Sequence, residues 1–180
     1  MMSSSNPDSL FAGVWRLDSL IGVRNGLSYY TATHTATGME TLVQTIDAAS
    51  DRASALLQSW RIAAGIDEPQ ILKVHETGEA LIEGTRHLYC ALELPEDDLS
   101  DKLAPAKLDS EQAWEIAGTV SRALQPLHDR GLKHGAVEPA NLLVVGGLVK
   151  LSVDNIAPGD PADLRHSSRS ERGRAHPRPG

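Results

Sequence analysis

The sequence has one cysteine, Cys90, in 180 residues. No disulfide can form within the chain, and no cysteine cluster can hold a metal. There is no run of about 18 apolar residues, so no membrane-spanning helix is expected. The polar start "MMSSSNPDS" has no apolar h-region, so a secretory leader is not expected either. These absences fit a reducing cytoplasm. A basic excess is also lacking: the formal net charge is −7. The last twenty residues carry five Arg against Asp163 and Glu171, a net of +3, which leaves −10 on the other 160. An acidic body argues against nucleic acid as the main ligand. The basic tail reads as a solvated, disordered segment. No internal repeat is visible.

What remains is 41% hydrophobic and 23% charged, which suits one soluble domain with a real core. The first twelve residues read as a flexible lead. "VWRLDSLIG", "LSYYTATH" and "ETLVQTID" are short β-prone runs, broken at "RNG" and "TATG" where Gly and Asn suit tight turns. "SDRASALLQSWRIAAG" has helical spacing at Leu56, Trp60 and Ala63. Ser50 or Asp51 is placed to cap its start and Gly65 to end it. "QILKVHETGEA" and "RHLYCALEL" read as a strand pair. "PEDDLSDKLA" suits a short helix.

"LDSEQAWEIAGTVSRALQPLHDRG" suits a long helix, with Asp109 or Ser110 as cap and Glu111 in the first turn. Trp114, Ala117, Val120, Leu124 and Leu127 are expected on its buried face, and Pro126 to bend or break its last turn. "NLLVV" and "LVKLSV" flank Gly146-Gly147, a hairpin signal. Beyond Pro158 no periodicity is visible.

This order of elements, with "LHDRGLKHGAVEPANLLVVGGLVKLSVDNIA", resembles the eukaryotic-like Ser/Thr protein kinase family. The resemblance runs from about Val14 to Ala157 and is strongest from 127 to 157. His134, Pro139 and Asn141 stand at the offsets of the family's H-R-D-L-K-P-E-N loop, between a helix and a β-hairpin. It implies an α+β, protein-kinase-like fold. A five-stranded N-lobe with one helix is expected over 13–95, a partial helical C-lobe over 96–158, and a disordered tail over 159–180.

The resemblance also shows which charged groups are missing. A kinase uses a Gly-rich loop over the phosphates, a strand-three Lys paired with a helix Glu, a catalytic-loop Asp, and an Asn and an Asp on the metal ions. Gly22 matches the first loop glycine, but Arg24 and Leu27 replace the other two. Gly26 falls one position early, and "RNG" reads as a plain turn. Gln44 stands at the Lys position and Ser59 at the helix Glu, with Gln58 beside it. Ala136 replaces the base Asp, Gly135 the Arg and Glu138 the Lys. Val153 falls in the metal-binding position of D-F-G, or Asp154 if the register slips by one. Strand alternation places Val153 on the buried face.

The implied nucleotide positions are Gly22, Gly26, Tyr29, Leu42, Glu93 and Leu143. Tyr29 and Leu42 are bulky enough to fill the purine slot. Asn141 matches a metal ligand, but one neutral amide does not make a Mg²⁺ site. His134 is expected to bridge loop and hairpin as a structural residue.

With base, Lys, helix Glu and metal Asp all replaced, the expected function is that of a truncated, catalytically inactive kinase-like domain that binds a protein partner. No cofactor is expected. The alternatives are an active kinase using MgATP through Glu138 and Asp154, and a non-functional gene fragment.

Overall fold

The computed structural model describes residues 11–100 and 109–160. The β-prone runs form β1 (Trp15–Arg24), β2 (Leu27–His34) and β3 (Glu40–Asp47). Helix α1 (Ala53–Ala64), β4 (Val74–Ile82) and β5 (Thr85–Glu93) follow. The five strands make one antiparallel sheet in the order β1-β2-β3-β5-β4. Central β3 is buried without a break from Thr41 to Ile46. Its side chains alternate between two faces. Leu42, Gln44 and Ile46 share the face under α1, where Leu56, Trp60 and Ala63 complete the main core. Val43 lies on the opposite face with Phe11, Trp15, Ala32, Tyr89 and Ala91.

That second face is sealed by polar ends as well as by apolar area. The Glu76 carboxylate accepts hydrogen bonds from Trp15 Nε1 at 2.8 Å and from the Tyr89 hydroxyl at 3.0 Å. Phe11 meets Tyr89 edge-on at 4.9 Å. The expected flexible lead of twelve residues is therefore too long. Phe11 is buried and bridges to Trp15, while residues 1–10 lie outside the described residues.

Between β1 and β2 the expected turn at "RNG" is a two-residue turn. Asn25 and Gly26 have φ of 51° and 80°, and Arg24 pairs with Leu27 to close it. Positive φ at both central residues suits the twist of a hairpin. The expected caps of α1 are not used. The N-cap is Arg52, whose side chain makes no cap bond, although Gly65 ends the helix as expected. The Arg52 guanidinium instead donates to the Asn25 carbonyl and ties helix to turn.

The expected short helix over 95–104 does not begin at Pro95. Asp97–Asp98 form the two-residue strand β6, captured by hydrogen bonds from Glu96 N to Val144 O and from Leu99 N to Leu142 O. Residues 101–108 of that prediction lie outside the described residues.

Helix α2 (Ser110–Asp129) has the expected Asp109 cap, completed by Gln112 into a capping box. Its buried stripe is rotated from the expected one. Ala123 and Leu127 are buried and Ile116 and Val120 pack beside them, at i, i+4, i+7 and i+11. Leu124 stays on the flank, Ala117 is exposed, and Trp114 is 78% exposed. Pro126 lies inside the helix and does not end it. Leu127, fully buried, anchors the turn that follows.

The chain closes with β7 (Leu132–His134), a 3-10 turn (Pro139–Asn141), β8 (Leu142–Val145), β9 (Leu148–Leu151) and β10 (Ile156–Pro158). The β8–β9 hairpin turns on Gly146 and Gly147 as expected, at φ 57° and 77°. Strands β7 and β10 pair with each other and were not expected. At three residues each they are too short to show a period. The two lobes are stitched by main chain: Leu72 N donates to Leu151 O at 2.9 Å, and Leu151 N to Gln70 O at 2.8 Å. Among the described residues no helix is long and apolar enough to cross a membrane. The basic tail from 161 onward lies outside the described residues.

Candidate active-site cleft

A cleft of about 310 Å³ lies between the sheet and the β8–β9 hairpin. Ile21, Gly22, Val23 and Tyr29 form its roof, Leu42 and Gln44 its back, and Leu143, Asn141 and Ser152 its floor. Tyr29 and Leu42 were expected to fill the slot. They line it and leave it open. Of the other implied nucleotide positions, Gly22 and Leu143 line the cleft, while Gly26 and Glu93 do not. Gly26 is spent on the turn. The Glu93 carboxylate faces another way, accepting from Lys150 Nζ at 2.6 Å and Lys73 N at 2.8 Å.

The inner end of the cleft differs from the expectation. Val153, expected in the metal-binding position, is fully buried in the core, as strand alternation implied. Asp154 is the carboxylate at this end of the cleft, which Asp98 also lines. Its Oδ1 accepts from Trp60 Nε1 at 2.7 Å and its Oδ2 from Gln44 Nε2 at 3.3 Å. Thus the α1 residue that reaches the cleft chemistry is Trp60. Ser59 is buried in the helix packing and Gln58 is exposed. Trp60 was visible in the sequence only as an apolar face residue. The signal that could have found it is general: a buried indole N–H seeks an acceptor. Burial holds the Asp154 carboxyl above the ordinary carboxylate range, even though both hydrogen bonds oppose that shift. Burial and the Asp154 charge push the Tyr29 phenol up to about 12, so it is a neutral wall.

The loop around His134 is tied down by its own side chains. Asn141 Nδ2 donates to Ala136 O at 2.9 Å and reaches Glu138 Oε1 at 3.3 Å. His134 bridges loop and hairpin as expected: its Nε2 lies 3.0 Å from Ser152 O, and Ala136 N lies 3.4 Å from its Nδ1. A carbonyl only accepts, so Nε2 carries the proton and Nδ1 is the acceptor.

Burial lowers the His134 pKa below its ordinary value of 6.5, against the Ser152 bond. Burial and the Lys73 charge lower that of His75. In both cases the unfolded chain binds the proton more tightly. Their contribution to stability is therefore complete above about pH 6.5 and is lost as pH falls from there toward the folded values. Thermal melts between pH 7.5 and 5.5 should show that decline. The double variant His134→Gln/His75→Gln should flatten it.

A Mg²⁺-triphosphate fits these residues poorly. Among the described residues Arg24 is the one cation lining the cleft, and it sits on the β1 rim. Both oxygens of the Asp154 carboxylate already accept from protein donors. Among the described residues no three His, Cys, Asp or Glu side chains gather to hold a metal.

Comparison with known proteins gives the ancestry of this arrangement. The crystal structure of the Mycobacterium tuberculosis PknI kinase domain superposes with a TM-score of 0.70 at 27% identity, over 91% of this chain and 68% of that one. The chain is a homologue of the Ser/Thr protein kinases. Mycobacterium tuberculosis PknJ, a Ser/Thr protein kinase, is 27% identical over 141 residues, 76% of this chain. A probable myosin light chain kinase of Dictyostelium discoideum is 31% identical over 138 residues, 73% of this chain and 43% of its own length. No protein-family profile matches the chain. The chain spans less than a quarter of the length of PknJ, since the match covers 23% of it. The expected α+β kinase fold, with a five-stranded N-lobe and a partial helical C-lobe, is the observed one.

Proposed function

We propose that this kinase-like domain does not transfer phosphate and acts by binding a protein. The observation that carries this reading is how the family's catalytic positions are used. Gln44 puts a neutral amide where the family has a cation and spends its N–H on Asp154, and Ala136 offers only a methyl group where a base would stand. General-base assistance alone contributes about 10²–10⁴ in rate, and preorganised charge at the phosphoryl group contributes at least as much. This cleft has neither group in position.

A binding role is supported by apolar side chains left on the surface. Trp114 on α2 is 78% exposed, and Leu20, Ile21 and Val23 on β1 are 56%, 57% and 65% exposed. Clusters of that kind mark interaction surfaces.

The test is to incubate the purified chain with MgATP. No γ-phosphate transfer to a generic substrate is expected, and no change in melting temperature. A ligand at 100 times its Kd would stabilise the fold by about 2.7 kcal/mol, which a melt resolves easily. Transfer above background that is lost in an Asn141→Ala variant would overturn the catalytic half of the proposal.

A further inference from the structure

Helix α2 packs one face inward through Ile116, Val120, Ala123 and Leu127. Its outer face carries Trp114, 78% exposed, with Glu111 one turn before it and Glu115 next to it. Both carboxylates are exposed, and neither makes an ion pair among the described residues. Asp109 adds a third acid, engaged as the cap. Arg122 is the one cation on residues 109–122, so that stretch has a net charge of −2. The Arg122 guanidinium turns back onto the Thr119 hydroxyl at 3.0 Å. An indole standing in water beside unpaired carboxylates suits arginine above other side chains. Its guanidinium stacks on an indole face and forks onto a carboxylate.

The chain supplies that group itself. Gly159 N donates to Gly131 O at 2.8 Å, just past the end of α2. Residues 161–180 therefore start beside the C-terminal end of this helix. They hold five Arg against Asp163 and Glu171, a net of +3. Trp114 lies about 25 Å back along the helix, at a rise of about 1.5 Å per residue. About eight extended residues at ~3.3 Å each span that distance. Counted from Asp160, they bring Arg169 to Trp114, with Arg172 and Arg174 following toward Glu115 and Glu111.

We propose that residues 161–180 dock in cis along the outer face of α2, with Arg169 stacked on Trp114 and Arg172 and Arg174 paired with Glu115 and Glu111. The inference rests on the reading of α2 as a binding surface and adds its regulation: a partner must displace the tail. Tethering gives the tail an effective concentration on the order of millimolar. The contact is exposed and electrostatic, so salt releases it.

The test uses the full chain. Cys90 is the single cysteine and is buried, so a nitroxide on Ser170→Cys labels the tail alone. The readout is the set of three tryptophan indole N–H resonances, with Trp114 assigned through Trp114→Phe. In about 0.01 M salt the Trp114 signal should lose more than half its intensity, while those of Trp15 and Trp60 keep theirs. About 1 M NaCl, where the Debye length is about 3 Å, should restore it. So should Arg169→Ser/Arg172→Ser/Arg174→Ser, and Glu111→Gln/Glu115→Gln should restore part of it. Circular dichroism melts confirm that each variant is folded. Full Trp114 intensity at low salt, or broadening that the triple Arg variant leaves unchanged, overturns tail docking and leaves the proposed function standing. Equal broadening of unlabelled chains mixed with nitroxide-bearing ones gives the face to a second copy and overturns docking in cis. Phosphate transfer from MgATP overturns the proposed function, whatever the tail does.

Discussion

Trp60→Ala is expected to destabilise the fold by about 3–5 kcal/mol, the range for deleting a large aromatic side chain from a core. Trp60 has 0% exposure and packs α1 against the sheet. It also donates the shorter of the two hydrogen bonds to Asp154. Removing it opens a cavity and leaves a partly buried carboxylate with one weak partner. Trp60→Phe keeps most of the volume and loses only the donor. It should cost about 1–3 kcal/mol. Urea titrations of the two variants, followed by circular dichroism, separate the packing and polar parts. If Trp60→Phe matched wild type, the Trp60–Asp154 bond would carry no stability.

Asp154→Asn should move stability the other way, upward by about 1 kcal/mol at neutral pH. Burial raises the carboxyl pKa, so the ionised form is held less well in the fold than in the unfolded chain. By linkage, that group's contribution is greatest below its unfolded value and declines as pH rises through the folded one. A neutral isostere removes the penalty. The carbonyl oxygen of the new amide would accept from Trp60, and its N–H would face Gln44, whose amide must turn to present Oε1 in place of Nε2. A lowered urea midpoint in Asp154→Asn would show that the negative charge is itself stabilising, through Arg52 and Arg24, whose charges oppose the shift.

The strands, both long helices and the glycine hairpin could be read from the sequence because each has a period or a turn signal that local chemistry dictates. Residues 15–47 alternate and break at Asn25–Gly26. Short β7 and β10 have no period, and their pairing is a tertiary event. The stripe on α2 falls elsewhere than hydropathy implies because Trp114 faces solvent. Hydropathy says that a tryptophan favours burial, not that a partner surface exists to bury it.

At the site, the replaced residues Gln44 and Ala136 could be named from spacing alone. Which neighbour would face them could not. Asp154 rather than Val153 meets Gln44, and Trp60 rather than Ser59 meets Asp154, because helix rotation and the bend after β9 set side-chain directions that one-residue counting cannot resolve.

The three tryptophans sit in three environments: Trp15 in the outer cluster, Trp60 in the main core and Trp114 on the surface. Iodide in solution can reach the last and is excluded from the other two. Emission that iodide quenches thus comes from α2 alone, and loss of that quenching would signal, without any label, that another molecule has covered the helix.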